Sequence, residues 1–404
     1  VAEAHQKTID YIAGGTDESG EPLPPLGSTT AKFQPENEIR GIPAGRVMDT
    51  AVMDLINQIQ LENSGADVSA AALFKDTSDL PQGDINYGNI FDIYKFDNTL
   101  YRVKVTGAEL KAYMEWSAEC YNQWEEGDIN ISFDPEYPDY LYDMFAGVDY
   151  EIDLSQPKGQ RIQNVMFQGE PLQDDQELTL AVNNYRYSSA LKSQGLIAGT
   201  KEWESSNSIR DMIVAYFAEH SPVAPTVDDN WKIVGVDLSE DDPRRAELVG
   251  YINAGLLDTP YAESYNLSDY DALVAQAKAN AEALTVTVDG AAKDVATATD
   301  ANGETYYRLR DLAFALKGTG AAFNVEWNGS VVATTGADYA AEALAMPAAA
   351  QSGAAASLTL TVDGASISQP AVLIDGNYYL ASGSLTNLGV ESTLVEGVLA
   401  IATR

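Results

Sequence analysis

An aromatic ring set between turn residues, two isolated cations and a near absence of imidazole and thiol define the chemistry open to this chain of 404 residues. Phe96 follows Tyr94-Lys95 and precedes Asp97-Asn98-Thr99, which reads as a turn into the strand-like run Leu100–Val105. A ring held at such a rim can stack on a flat ligand, an interaction worth about 1–3 kcal/mol for a nucleobase. Burial in a core is the other reading of the same pattern. Lys75, which closes the loop Ala71-Ala-Leu-Phe-Lys75, and Arg46, ahead of the first helical pattern, are candidate cations for an anionic ligand. Each also fits a solvated surface charge, and a lysine would act as a point charge rather than a fork. His5 and His220 lie far apart with no metal-ligand spacing, and Cys120 is the single cysteine. A dinuclear metal centre needs several histidines, and a zinc ribbon needs paired cysteines. Neither assembles here, so the sequence predicts no catalytic residue, no metal ligand and no cofactor in this chain. Asp228-Asp229 and Glu240-Asp241-Asp242 lack the alternation about a central Gly that calcium loops use, and read as solvated surface. Trp116, Trp124 and Trp203 read as packing residues rather than a glycan platform.

The charge balance narrows the partners. Sixty-one acidic against twenty-four basic side chains leave a net charge of −37. Nucleic acids and anionic membranes need a basic footprint, so both are excluded as partners. Strong self-repulsion suits a soluble protein outside the cell. With one cysteine there is no internal disulfide framework, and no apolar run is long enough to predict a membrane span. The chain opens on Val1 without an initiator Met or signal peptide, as expected of a processed or excised product.

The elements that must position these residues divide the chain. Residues 1–25 read as a short helix and a Pro-rich linker, broken at Gly14-Gly15. Residues 26–235 alternate helical and strand patterns and predict one α+β domain. Within it Val52, Leu55, Ile56 and Ile59 share a helical face, with Asp49 or Thr50 as cap and Asn63-Ser-Gly65 as stop. Thr106-Gly-Ala-Glu109 spells a capping box, and a third helix is expected from Ser206 or Asn207. Strands are expected at 66–74, 100–105, 148–154, 162–167 and 178–183, and the stretch from Gly83 to Phe96 reads as strand or turn. Residues 236–282 form a helical, acidic connector. Residues 283–340 and 357–404 read as two copies of a β-rich repeat around an Ala-rich joint, 341–356, the second degenerate in having Ala381-Ser-Gly383 where the first has Leu309-Arg-Asp311. Ala283-Leu-Thr-Val-Thr-Val-Asp-Gly-Ala291 recurs as Ser357-Leu-Thr-Leu-Thr-Val-Asp-Gly-Ala365, and Thr/Val alternation ending in Asp-Gly is a hairpin signal.

The block from Leu26 to about Lys232 resembles the C-terminal, substrate-binding domain of the 5′-nucleotidase family, and most of all its 2′,3′-cyclic-nucleotide 2′-phosphodiesterase/3′-nucleotidase branch. The likeness rests on Asp54-Leu-Ile-Asn-Gln-Ile-Gln60, Gly65-Ala-Asp-Val-Ser-Ala-Ala-Ala-Leu-Phe74 and Ile93-Tyr-Lys-Phe-Asp-Asn-Thr-Leu-Tyr101. Thr106-Gly-Ala-Glu-Leu-Lys111, Gly147-Val-Asp-Tyr-Glu-Ile-Asp153 and Ala181-Val-Asn-Asn-Tyr-Arg186 continue it in the family's order. The resemblance implies that the domain holds a nucleoside, its base sandwiched between two rings. Phe96 is implied as one ring. The other is placed at Tyr187, with Tyr185 as runner-up, beside Asn183 and Arg186 of the same motif. Lys75 and Arg46 are the implied phosphate cations. Two divalent metal ions and the phosphoryl chemistry would belong to an N-terminal metallophosphoesterase domain, the implied partner, and Ala4-His-Gln-Lys-Thr-Ile-Asp-Tyr-Ile12 resembles the family's interdomain linker. The chain is therefore expected to be inactive alone, cut after that domain, and to come from a secreted or cell-wall-associated hydrolase of a Gram-positive-like bacterium serving nucleotide catabolism. A non-catalytic extracellular adhesion module is the alternative. Residues 283–404 resemble copper amine oxidase N-terminal-like repeats, through Tyr306-Tyr-Arg-Leu-Arg-Asp-Leu312 and Phe323-Asn-Val-Glu-Trp327 in the first copy. No histidine follows His220, so copper is not implied.

Overall fold

The computed structural model describes residues 24–403 apart from 76, 239–240, 282–283, 301–302, 342–350 and 353–354. His5, the N-terminal helical pattern and most of the Ala-rich joint lie outside the described residues. Contacts divide the chain into two compact units: residues up to Leu238 together with Pro260–Tyr265, and the remainder.

The first unit is mixed α and β. Helix α1 (Ala51–Ser64) starts after Thr50 and stops at Gly65, which adopts the left-handed conformation at φ +63°, where glycine carries no Cβ penalty. Its Val52, Ile56 and Ile59 are fully buried, each worth about 1.5–3 kcal/mol of apolar transfer. Strand β1 (Val68–Ala71) follows, then helix α2 (Tyr87–Ile93). This helix stands where the sequence predicted a strand or turn. Its capping box is Asn-Asn rather than Ser/Thr-Glu: Asn86 Oδ1 accepts from the Asn89 amide at 3.2 Å and Asn89 Oδ1 from the Asn86 amide at 2.9 Å. Strand β2 (Thr99–Thr106) leads into helix α3 (Gly107–Ser117) through the expected Thr106/Glu109 box. A Cβ on Gly107 would run into the Gln173 carbonyl. Strands β3 (Met144–Ala146), β4 (Glu177–Asn183) and β5 (Lys201–Ser208) complete the main sheet. Helix α4 (Ile209–His220) is capped by Ser208, not by Ser206 or Asn207, which still belong to β5.

The sheet order is β5-β2-β4-β1-β3. Strand β2 pairs antiparallel with β4, Leu100 opposite Asn183, so the chain leaving β4 emerges beside the chain entering β2. That register brings the Phe96 turn and the Asn183–Arg186 turn to one sheet end. A smaller sheet adds Trp231–Val234 parallel to Asp149–Asp153, which pairs antiparallel with Ile162–Phe167.

The second unit begins with helices Pro243–Asn253 and Tyr270–Ala281, then becomes β-rich. Helix α5 (Leu309–Ala315), the hairpin β6 (Phe323–Trp327) and β7 (Val331–Thr335), and β8 (Asn377–Ala381) border one small cavity. The Asp-Gly signals are tight turns with both residues at positive φ, as in Asp363 (48°) and Gly364 (86°) between Val362 and Ala365. Strands of the two copies share sheets: Thr305–Arg308 pairs with β8, and Val286–Val288 runs parallel to Val398–Ala402. Among the described residues no helix is long and apolar enough to cross a membrane.

Candidate functional site

Phe96 projects from a turn pinned on both sides. Arg210, at the start of α4, donates through Nη1 to the Lys95 carbonyl at 2.9 Å and pairs through Nη2 with Asp97. The Ile209 amide donates to the Asn98 carbonyl at 2.9 Å. Tyr94 is buried in front of the turn. With its neighbours fixed, Phe96 has nowhere to fold inward and stays 43 % exposed. Its edge meets Phe74 at 4.9 Å and 88°, a favoured T-shaped pair, and Lys95 Nζ sits 5.0 Å from its ring centre. The core reading of Phe96 does not hold.

Phe96 lines a cavity of about 420 Å3 together with Phe74, Asn98, Tyr140, Asn183, Tyr185 and Arg186. The volume falls in the range of small-molecule sites, and none of the seven residues is acidic, in a chain of charge −37. The far wall is built on a short helical turn, Asn184–Arg186, which Asn183 caps by accepting from the Arg186 amide at 2.7 Å. Arg186 turns inward. Its Nε lies 2.6 Å from Asp143 Oδ2, both side chains almost fully buried, and Nη2 donates to the Tyr140 carbonyl. Tyr113 donates to Asp143 Oδ2 at 2.9 Å, and the guanidinium lies over Trp116. Burial works most strongly against the guanidinium, but the Asp143 charge and hydrogen bond together with Tyr113 and Tyr137 outweigh it and raise its pKa, so it stays cationic. Its Nη1 is buried with no hydrogen-bond partner. Tyr185, one position earlier, faces out at 55 % exposure.

Four of the seven residues predicted from sequence therefore meet in one cavity: Phe96, Asn183, Tyr185 and Arg186. Tyr187 does not line it. Its ring packs against Tyr101 at 5.5 Å, with Lys192 over the face. Two residues along a helical turn are rotated by about 200°, so Tyr185 and Tyr187 point to opposite sides and the runner-up is the cavity ring. Lys75 is held by Asp92 and does not line the cavity. Arg46 is buried, donates to Tyr261 Oη at 2.9 Å and lies over the rings of Phe133 and Tyr142. It is a packing cation. Phe74, Asn98, Tyr140 and Lys95 were not singled out. The signal for Lys95 was its place beside Phe96; Tyr140 carried none.

Three carboxylates, of Asp49, Asp54 and Asp228, bring an oxygen each within 4.8 Å of one another. Burial first, and then the neighbouring charges, raise Asp49 to about 6 and Asp54 to about 7. Trp231 Nε1 and the Thr50 amide donate to Asp49 Oδ1, and the Asp228 amide to Asp54 Oδ2. Protein donors thus satisfy one oxygen each of Asp49 and Asp54, while Asp49 Oδ2 is buried without a hydrogen-bond partner. His220 is stacked on Tyr216 at 4.2 Å with Nδ1 at the Tyr216 carbonyl. Cys120 is buried, which pushes its thiol up to about 12 and leaves it inert.

Residues 27–192 match the family model described as 5′-nucleotidase, C-terminal domain. The chain is 30% identical over 178 residues to the trifunctional nucleotide phosphoesterase protein YfkN of Bacillus subtilis, a match covering 39% of this chain and 12% of that protein. It is 31% identical over 186 residues to a 2′,3′-cyclic-nucleotide 2′-phosphodiesterase/3′-nucleotidase of Yersinia enterocolitica, covering 40% of this chain and 28% of the relative. The chain thus spans less than a third of the length of these curated relatives. Among solved structures it is similar to a putative 5′-nucleotidase from Staphylococcus aureus, with 23% identity and a TM-score of 0.49 over 57% of this chain and 43% of that one.

Proposed function

We propose that residues 26–235 are the nucleoside-holding domain of a nucleotide phosphohydrolase, with 2′,3′-cyclic nucleotides, 3′-nucleotides or 5′-nucleotides as the substrate class. The observation that carries this reading is the cavity in which Phe96 and Tyr185 stand exposed with Lys95 beside the first ring. The base slots between the two rings, Asn98, Asn183 and Arg186 line the cavity around it, and Lys95 supplies positive charge near the phosphate. Stacking uses the π-face that every base has, so broad base tolerance follows.

Phosphoryl transfer and its two divalent metal ions are assigned to a metallophosphoesterase domain acting as partner. The described residues do not fit such a centre: the imidazole of His220 is engaged by Tyr216, and the Asp49 cluster offers oxygen alone. This domain's part is to bind and orient. Secretion or surface attachment in a Gram-positive-like bacterium, with nucleotide scavenging as the role, goes with the charge of −37. The shared sheets of the second unit are proposed to be copper amine oxidase N-terminal-like repeats without copper.

Calorimetric titration tests the reading. Adenosine and its monophosphates should bind saturably, and ribose 5-phosphate, which has no base, should neither bind comparably nor compete. Equal binding of ribose phosphate would overturn it.

A further inference from the structure

We infer that the second unit carries its own ligand site, for one pyranose ring of a neutral saccharide, in the cavity beneath Trp327. The cavity measures about 150 Å3, well below the roughly 300–1,000 Å3 of drug-sized sites, so it takes a single ring rather than a nucleotide. Buried Leu309 and Val331 line it, together with Tyr339 and Tyr378, which pack on the unit's hydrophobic core while keeping part of their surface open.

The position of the indole is set by strand geometry. On β6 Phe323, Val325 and Trp327 alternate onto one face. Phe323 is fully buried and Val325 half-buried. Trp327 continues the same apolar face past the end of the core and stands 69 % exposed beside the cavity. Single exposed hydrophobic side chains are ordinary on a protein surface; this one differs in bordering a concavity.

The polar groups around it are uncommitted. Among the described residues the side chains of Arg310, Trp327, Tyr339 and Tyr378 make no hydrogen bond, ion pair or ring contact. Glu326 also borders the cavity, held by Asn324 Nδ2 at 2.9 Å. One exposed flat ring with donors and acceptors of both charges is the complement of a sugar. The C–H face of a pyranose lies on the indole, and its hydroxyls reach the guanidinium and the phenols. The opposed charges of Arg310 and Glu326 give no preference to an ionic ligand.

The test titrates the whole chain with β-linked gluco-oligosaccharides and their N-acetylated counterparts, using calorimetry and saturation-transfer NMR. At least one series should bind. Trp327→Ala should weaken it roughly tenfold or more, while Trp327→Phe, which keeps a ring, should hold most of the affinity. Arg310→Ala should weaken binding by less, and Phe96→Ala should leave it unchanged. Because Trp327 is exposed, its variants should melt with the parent, which separates a site effect from unfolding. Absence of binding at millimolar saccharide, an unaltered affinity in Trp327→Ala, or engagement of the same residues by a proline-rich peptide instead would each overturn the proposal.

Discussion

The two cavities are built by opposite means. The one lined by Phe96 and Tyr185 is walled by ties between distant stretches of chain: Arg186 to Asp143, and Arg210 to Lys95 and Asp97. The one beneath Trp327 lies among hairpin ends whose turns are made locally, at Asn328-Gly329 and Asp375-Gly376, and among the described residues its Arg310 and tyrosine side chains make no hydrogen bond or ion pair. Long-range ties fix a ring without burying it, which is what pre-organises a site. Local turns fix a sheet but leave the groups at its end free. The first cavity should therefore be sensitive to loss of remote side chains, and the second only to its own lining.

The largest test of that contrast is Asp143→Ala. It leaves the Arg186 guanidinium buried without its counter-ion, a change that typically costs about 3–5 kcal/mol. Urea unfolding should show that loss in the first unit, with nucleoside binding lost alongside. A change under about 1 kcal/mol would mean that the wall is held by something else.

Arg210→Ala is next. It removes charge-assisted bonds worth about 1.5–3 kcal/mol and frees the turn on both sides of Phe96. Nucleoside affinity should fall even though Arg210 does not line the cavity. Unaltered affinity would show that the ring needs no anchoring.

In the second unit Gly376, which borders the smaller cavity, sits at φ +75° with open space around its missing Cβ. Gly376→Ala should cost about 1–2 kcal/mol through backbone strain alone, read as a lowered melting temperature. Equal stability would remove the local-turn account of this region.

The smallest effect concerns pH. Asp49 and Asp54 titrate in the folded state at about 6 and about 7, above their usual 3.8, because they are partly buried beside one another and Asp228. A carboxyl raised on folding favours the folded state at low pH, and this contribution is lost as pH climbs from about 4 to about 7. After solvent screening the loss should be about 1 kcal/mol. Melting temperatures across that range should decline in the parent and flatten in Asp54→Asn. A parallel decline in both would assign the pH dependence elsewhere.

What was legible in the sequence follows the same divide. Helix α1 could be read because its apolar face and Gly65 stop lie within one stretch, although Thr50 at its start makes no side-chain capping bond. So could the Thr106–Glu109 box and the Asp-Gly turns. Helix α2 could not: the stretch from Gly83 to Phe96 reads as strand or turn, and its asparagine-only capping box is a weaker signal than Ser/Thr-Glu. Phe96 was found from its flanking turn, but its exposure depends on Arg210, more than a hundred residues later. Tyr185 lost to Tyr187 in sequence because only the helical rotation of the Asn184–Arg186 turn separates them. Arg46 looked like a free cation until Tyr261 closed over it. Pairing of strands across the two repeat copies is a topological fact that no local pattern encodes.

The central claim, that Phe96 and Tyr185 are the two rings that hold a nucleobase, is tested most directly by adenosine titration of three single variants of this chain. Phe96→Ala and Tyr185→Ala should each lose roughly ten- to a hundredfold in affinity with melting temperatures close to the parent, since both rings are exposed. Tyr187→Ala should bind as the parent does. Loss confined to Tyr187→Ala, or full affinity in Phe96→Ala, would contradict the account.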